Sequence, residues 1–366
     1  MSMHDVELPT EARPAGRPRS GPGTGSAGTQ TFDVAVIGAG LAGLTAATAL
    51  QRAGHRTVVF ERRSTPGGLC GNFEHGGLTF PVACNEFGRG LFRELAALGV
   101  RVPRRATASH VHLGGRRLRL PPDAATIGRL LAASPGIARV VRAARAGSAR
   151  TLADAIDLAR PAPDLVDLVG VLAYTAGVPM RYLRLADLGE LLAGGHGYGL
   201  HDLGKPVGGP GAITDALVER YVLLGGRLWL DADARAVRDG DLHVVTAGDG
   251  RRAAARALVT SEPRRDAWPA GSVPGLRLGM LLMGADRALA FPEGVLTAYH
   301  VPPGVRAWMD DLDAGREPPA FGLSILRNLV PHDGPRRTSA GTRGPSRWRR
   351  PRAPSTRRPG SNTSST

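Results

Sequence analysis

Lysine is nearly absent from this chain of 366 residues: among its 47 basic residues, only Lys205 is a lysine. Arginine carries the rest of the positive charge. Together with 50 glycines and 29 prolines, this reads as GC-rich coding bias, not as a functional signal. Cysteine is scarce too. Cys70 and Cys84 are the only two and lack Cys-x-x-Cys spacing, which argues against a disulfide-framed secreted scaffold. Aromatic residues make up 5%, and no basic stretch is interleaved with aromatics that could stack on bases. A nucleic-acid binder is therefore not expected. No apolar run approaches the ~20 residues that span a bilayer, and residues 1–30 lack the apolar core of a signal peptide. These absences point to a cytoplasmic protein. The net charge of +15 does not change that reading, because residues 331–366 hold nine arginines against one acid, Asp333, a net +8.

What is present is an apolar content of 42%, enough for a sizeable core, and a length that predicts two domains. Residues 1–30 are rich in Pro, Gly, Ser, Thr and Arg and are expected to be disordered. Residues 331–366 have the same character, with Trp348 as their one aromatic. They also read as GC-rich DNA translated in a shifted frame. Between these ends, 32–37 is a short β-prone run suited to a buried parallel strand. Helical spacing follows over 41–53 with Gly54 as its stop, and 56–61 reads as a second strand. A helix is expected over 87–98 and a hairpin over 107–120 around Gly114-Gly115. The periodicity over 122–192 is mainly helical, with breaks at Pro135, Pro161 and Pro163. A glycine-rich loop is expected over 194–211, a helix over 212–224, and strands over 227–230, 234–237, 242–246 and 257–260. The stretch 276–329 mixes strands with a short helix at 306–312.

Gly38-Ala39-Gly40-Leu41-Ala42-Gly43 is a GxGxxG placed between the first strand and the first helix. Gly38 permits a tight turn, Gly40 lets backbone approach a pyrophosphate at the positive end of the helix dipole, and Gly43 allows the helix to pack closely on the strand. Glu61 ends the second strand, where its carboxylate can bond both hydroxyls of an adenosine ribose. Strand, glycines, helix, glycine stop, strand and acid fall in the order of a dinucleotide site. Glu61 also disfavours NADP, whose 2′-phosphate it would repel even with Arg62 and Arg63 beside it.

After Glu61, Arg62 and Arg63 comes Gly67-Gly68-Leu69. Farther on stand Lys205-Pro206-Val207-Gly208-Gly209-Pro210-Gly211 and Gly225-Gly226. On these residues the chain resembles the flavin-dependent amine oxidase and phytoene desaturase superfamily. The resemblance spans about residues 31–330 and is densest at 31–73 and 204–263. It implies FAD as cofactor, with Gly67, Gly68 and Leu69 near the pyrophosphate and ribityl chain and Ala234 against the adenine. It further implies an α/β fold. A Rossmann-type FAD-binding domain would come from 31–105 and 205–265, and a mixed α+β substrate domain from 106–204 and 266–330. Members of that superfamily continue into a final glycine-rich segment and helix beside the flavin, which residues 331–366 do not supply. Either a truncated or frameshifted member or a flavin capped in another way is therefore expected.

The activity implied is removal of hydride from a small, lipophilic substrate, with oxygen or a quinone as final acceptor. Two alternatives stay open: a flavin-dependent isomerase of a polyene, and a non-catalytic remnant with an incomplete flavin site. No catalytic residue, metal ligand or oligomeric state is assigned. Lys205 reads as a solvent-exposed loop lysine, with a place near flavin N5, which the resemblance implies, as the second reading. His196, Tyr198 and His201 read as solvated loop residues, with a place at the substrate entrance as the second reading. No base or charge marks Cys70 as a reactive thiolate. Arg139, Arg142 and Arg145 read as a solvated helix face, with peripheral contact to anionic lipid as the alternative.

Overall fold

The computed structural model describes residues 28–120, 122–145, 147, 149–193, 197–199, 202–261, 281–283 and 295–327. Of the disorder expected of 1–30 and 331–366, all but 28–30 lies outside these residues, as do the places of His196 and His201; Gln30 already stands in a strand. The fold is α/β, with a Rossmann-type sheet and a second, mixed α+β region. β1 (Gln30–Ile37) starts at Gln30 and is buried through its second half, as an unbroken Val, Ala and Ile run requires of a central parallel strand. α1 (Leu41–Arg52) follows and stops at Gly54, whose φ of 93° suits the residue after a helix C-cap. β2 (Thr57–Phe60) then returns parallel to β1.

A 3-10 turn at Gly68–Cys70 leads into the hairpin of β3 (Asn72–His75) and β4 (Leu78–Pro81). Next come β5 (Phe87–Gly88), α2 (Arg89–Ala97) and β6 (Arg104–Ala106). β7 (Ala108–Leu113) and β8 (Arg116–Leu120) form the hairpin expected at Gly114-Gly115. The helical stretch comprises α3 (Ala124–Arg145), α4 (Leu152–Ala159), α5 (Pro163–Ala176) and α6 (Leu185–Leu192). Pro161 and Pro163 do separate two helices, with Pro163 in the first turn of α5. Pro135 is a correction: it lies inside α3 and does not break it. The carbonyl it deprives of a partner is that of Leu131, a residue 67% exposed, so water can serve it.

The expected loop over 194–211 hides β9 (Leu203–Pro206). α7 (Gly211–Leu223), β10 (Arg227–Trp229), β11 (Ala234–Asp239) and β12 (Leu242–Ala247) match their predictions closely. β13 (Arg252–Thr260) begins earlier than predicted, because its alanines at 253–255 pair with β1 on one side and β12 on the other. β14 (Val295–Val301), α8 (Val305–Asp313) and β15 (Leu323–Leu326) complete the described chain.

The main sheet has the order β10-β2-β1-β13-β12-β11. Its first four strands are parallel and its last two antiparallel. β1 leads to β2 on one side and meets β13 on the other, so the strand order reverses there and a crevice opens at the carboxyl ends. α1 and α7 cover one face around Val36, Leu44, Leu217 and Tyr221, and the other face centres on Phe60, Trp229 and Val245. The Thr57 hydroxyl, 2.9 Å from the Tyr221 hydroxyl and 2.7 Å from Gln51 Oε1, ties α1, β2 and α7 together. The second region is a sheet of order β15-β14-β7-β8, with α4, α5 and α8 packed on it around Val111, Ile156, Trp308 and Met309. A third sheet, β5-β9-β6, supplies Lys205, which reaches across to β14.

Candidate nucleotide-cofactor site

Two of the three glycines of 38–43, Gly38 and Gly43, are required by close contacts within the turn. Gly38 leaves β1 with φ 101° and donates its N–H to the Phe60 carbonyl at 2.8 Å. A Cβ on Gly38 would stand 2.3 Å from Ser261 Oγ, at the end of β13, and one on Gly43 would stand 2.0 Å from the Gly38 carbonyl oxygen. Gly40 is the extended N-cap of α1, while Leu41 and Ala42 open the helix. The first turn has no acidic residue and no side-chain cap, so the positive end of the dipole at the crevice is not neutralised from within.

The two stretches separated in sequence meet here. The Gly67 N–H donates to the Ala39 carbonyl at 2.8 Å, and a Cβ on Gly68 would lie 3.1 Å from Gly40 Cα. Gly67 has φ 121°, and a Cβ there would lie 3.2 Å from Thr214 Oγ1 of α7. Asn72 locks the same two stretches: its Nδ2 donates to the Gly208 carbonyl at 3.0 Å, and its Oδ1 accepts from the Gly211 N–H at 3.2 Å. The Cys70 thiol lies 3.6 Å from the Pro210 carbonyl, and burial pushes its pKa up to about 12, the opposite of a reactive thiolate. Residues 67–72 and 208–214 thus form one wall, from which Leu69 projects 69% exposed. Asn72 is absent from the sequence reading. A single Asn at a strand entry gives no signal until the second stretch is placed beside it.

Glu61 is buried at the end of β2. Its Oε2 accepts from the Ala39 N–H at 2.8 Å and its Oε1 from the Arg63 N–H at 3.0 Å, with Arg63 Nε at 3.8 Å. The carboxylate therefore pins the glycine turn to the strand end. About four acceptor positions belong to a carboxylate, so others remain for a ligand. Arg62 is exposed. Ala234 opens β11 opposite Ala247 and packs on the core around Phe60 and Trp229. It lies two residues past Ala232, whose N–H donates to the Glu61 carbonyl at 2.8 Å.

Lys205 is the main correction. Far from being an exposed loop lysine, it is 0% exposed in β9. Its ammonium donates to the Leu296 carbonyl at 3.0 Å and the Arg327 carbonyl at 2.9 Å, and it lies 3.7 Å from Glu86 Oε1. Glu86 also accepts hydrogen bonds from the hydroxyls of Thr297 and Tyr299. Burial lowers the Lys205 pKa to about 8 against the opposing pull of Glu86, while burial pushes the Tyr299 phenol upward. Tyr198 lies nearby, with its backbone carbonyl accepting from the Gly90 N–H at 3.0 Å and its ring against Gly88. Glu86 and Tyr299 carried no motif, so sequence reasoning missed them.

Residues 36–91 match the model of the NAD(P)-binding Rossmann-like domain family. Over 60 residues the chain is 42% identical to all-trans-retinol 13,14-reductase of Macaca fascicularis and equally to that of Homo sapiens. The match covers 16% of this chain and about a tenth of the length of those relatives. Among solved structures, an oxidoreductase from Methanosarcina mazei aligns with TM-score 0.52 and 20% identity over 62% of this chain and 58% of its own. A Pyrococcus furiosus protein aligns with TM-score 0.56 and 15% identity over 80% of this chain and 79% of its own. These likenesses show a Rossmann-like unit at residues 36–91 and, for the chain as a whole, the fold alone.

Proposed function

We propose that the crevice at the ends of β1, β2 and β13 binds FAD, and that the chain is an oxidoreductase acting on a small, lipophilic molecule. The observation that carries this reading is the glycine turn at the N-terminus of α1, where Gly38 and Gly43 pack too closely for a Cβ (2.3 and 2.0 Å from neighbouring atoms) while Gly40 has no atom nearer than 3.9 Å to where its Cβ would stand. Such a turn fits a pyrophosphate approached by main chain. In this reading Gly38, Ala39, Gly40, Leu41, Ala42 and Gly43 hold the pyrophosphate and Glu61 takes the ribose hydroxyls. Arg62 and Arg63 flank the phosphates, Gly67, Gly68 and Leu69 lie along the ribityl side, and Ala234 faces the adenine. FAD supplies a hydride acceptor when bound, while the protein orients the substrate and keeps water away. The FAD-binding domain is 31–105 with 205–265, and the substrate domain is 106–204 with 266–330.

The resemblance of one stretch to a retinol reductase favours a polyene-like substrate and supports reduction of a C=C bond as a second reading of the direction. Membrane contact has its own support. Ile127, Leu131 and Val141 are exposed on α3, which also carries exposed Arg139, Arg142 and Arg145. Among the described residues, no helix is long and apolar enough to cross a membrane. The test of the flavin reading is the visible absorbance of the purified chain, followed by flavin release on denaturation. A flavin spectrum near one per chain supports it. A colourless protein that FAD does not reconstitute overturns it.

A further inference from the structure

A lysine ammonium and a carboxylate taken out of water recover their desolvation penalty only when nearly every donor and acceptor is used. Lys205 and Glu86 approach that condition through two ammonium hydrogen bonds, two carboxylate hydrogen bonds and the ion pair between them. The three ammonium N–H groups face two carbonyls, Leu296 at 3.0 Å and Arg327 at 2.9 Å, and Glu86 Oε1 at 3.7 Å. Glu86 in turn receives the hydroxyls of Thr297 and Tyr299. The pair therefore joins three parts of the chain: β9, the segment before β5, and the β14–β15 edge of the second sheet.

The segment carrying Glu86 also runs beside the cofactor loop. The Val82 N–H donates to the Gly71 carbonyl at 2.9 Å, and the Cys84 N–H donates to the Leu69 carbonyl at 3.3 Å. Lys205 stands just ahead of the residues, Gly208 and Gly211, that Asn72 binds. The cofactor loop is thus held from its far side by whatever holds 82–86, and 82–86 is held by Glu86.

We propose that Lys205 and Glu86 are positioning residues for the nucleotide site, a buried clamp that fixes segment 82–86 against loop 67–71 and so sets the loop for its ligand. The proposal rests on the reading of that loop as a nucleotide wall. Lys205 has no exposed surface, so it acts through the chain it holds. Protonation matters to such a clamp, because a neutral amine has two N–H groups for three acceptors. The groups around the ammonium are Glu86 from the segment before β5 and, through Glu86, Tyr299 of β14. On its own sheet, Arg105 of β6 stands in register opposite Lys205, and Arg104 beside it pairs with Asp202 at 3.6 Å. With the Lys205 pKa lowered to about 8, the hydrogen bonding of the clamp changes as pH crosses that value.

Two readouts on the full chain test this in the wild type, Lys205→Met, Glu86→Gln and the double variant. One is amide hydrogen exchange of Val82 and Cys84 without ligand. The other is ADP affinity measured on both sides of about pH 8. The clamp predicts faster exchange at both amides and roughly tenfold weaker ADP binding in either single variant, with the double variant no worse than the worse single. It also predicts a step in wild-type ADP affinity as pH crosses the Lys205 pKa, a step that Lys205→Met loses. Unchanged exchange at Val82 and Cys84 in folded single variants overturns the clamp, even where melting temperature falls. Unchanged ADP affinity with a retained pH step overturns it as well. If the wild type does not bind ADP at all, the nucleotide reading fails, and the exchange result alone decides whether the clamp exists.

Discussion

The glycine crevice and the Lys205–Glu86 cluster stand side by side and are built on opposite principles. The crevice is made by leaving side chains out: a Cβ at Gly43 would stand 2.0 Å from a carbonyl oxygen, so backbone packs on backbone. The cluster is made by putting charged side chains in, with an ammonium at 0% exposure. A backbone site tolerates no added atom, whereas a buried charge tolerates no removed partner. The two regions should therefore fail in different ways, and the difference is measurable.

The largest effect is expected at the cluster. Lys205→Met leaves the Glu86 carboxylate buried with only hydroxyl partners and should cost about 3–5 kcal/mol of stability. Adding Glu86→Gln should recover a substantial part of the loss, as denaturant unfolding of both variants would reveal. If the double variant is no more stable than Lys205→Met, the pair is not a coupled unit. Gly43→Val comes next. It should lower stability by about 1–3 kcal/mol through overpacking and abolish nucleotide binding in the fraction that folds. Retained binding would remove the close contact with Gly38 from the account.

The comparison sharpens with pH. The Lys205 pKa is lowered from 10.5 to about 8 in the folded chain. Between those values the unfolded chain still holds a proton that the folded chain has released, so the stability contributed by this site rises with pH across that window. The burial penalty is fully present below it. The rise amounts to at most about 3 kcal/mol and appears as a difference between wild-type and Lys205→Met unfolding curves. Parallel curves would show that the lysine is not desolvated. The smallest effect concerns α3: Arg142→Glu should weaken binding to anionic vesicles by about 1 kcal/mol or more and leave neutral vesicles unaffected. Equal binding of both proteins would make that helix face merely solvated.

How much of this was legible in the sequence follows from the same contrast. The βαβ unit, the glycine turn and the acid at position 61 could be read because local spacing alone specifies them, and β1, α1 and β2 formed where expected. The contacts between 67–72 and 208–214 could be read only as two stretches, since Asn72 has no periodic signature. Pro135 was misread because a proline is tolerated in a helix on an exposed stretch, here one turn after the exposed Leu131. β9 was hidden by flanking glycines, and with it the burial of Lys205, which depends on Glu86 and on carbonyls more than ninety residues away in sequence, at Leu296 and Arg327. A lone lysine carries no local mark of such partners.

The most direct test of the central claim is calorimetric titration of the purified chain, stripped of any bound cofactor, with FAD and separately with NADP. The account predicts one FAD per chain, with NADP bound far more weakly because Glu61 repels a 2′-phosphate. Failure to bind FAD, or a preference for NADP, would contradict it.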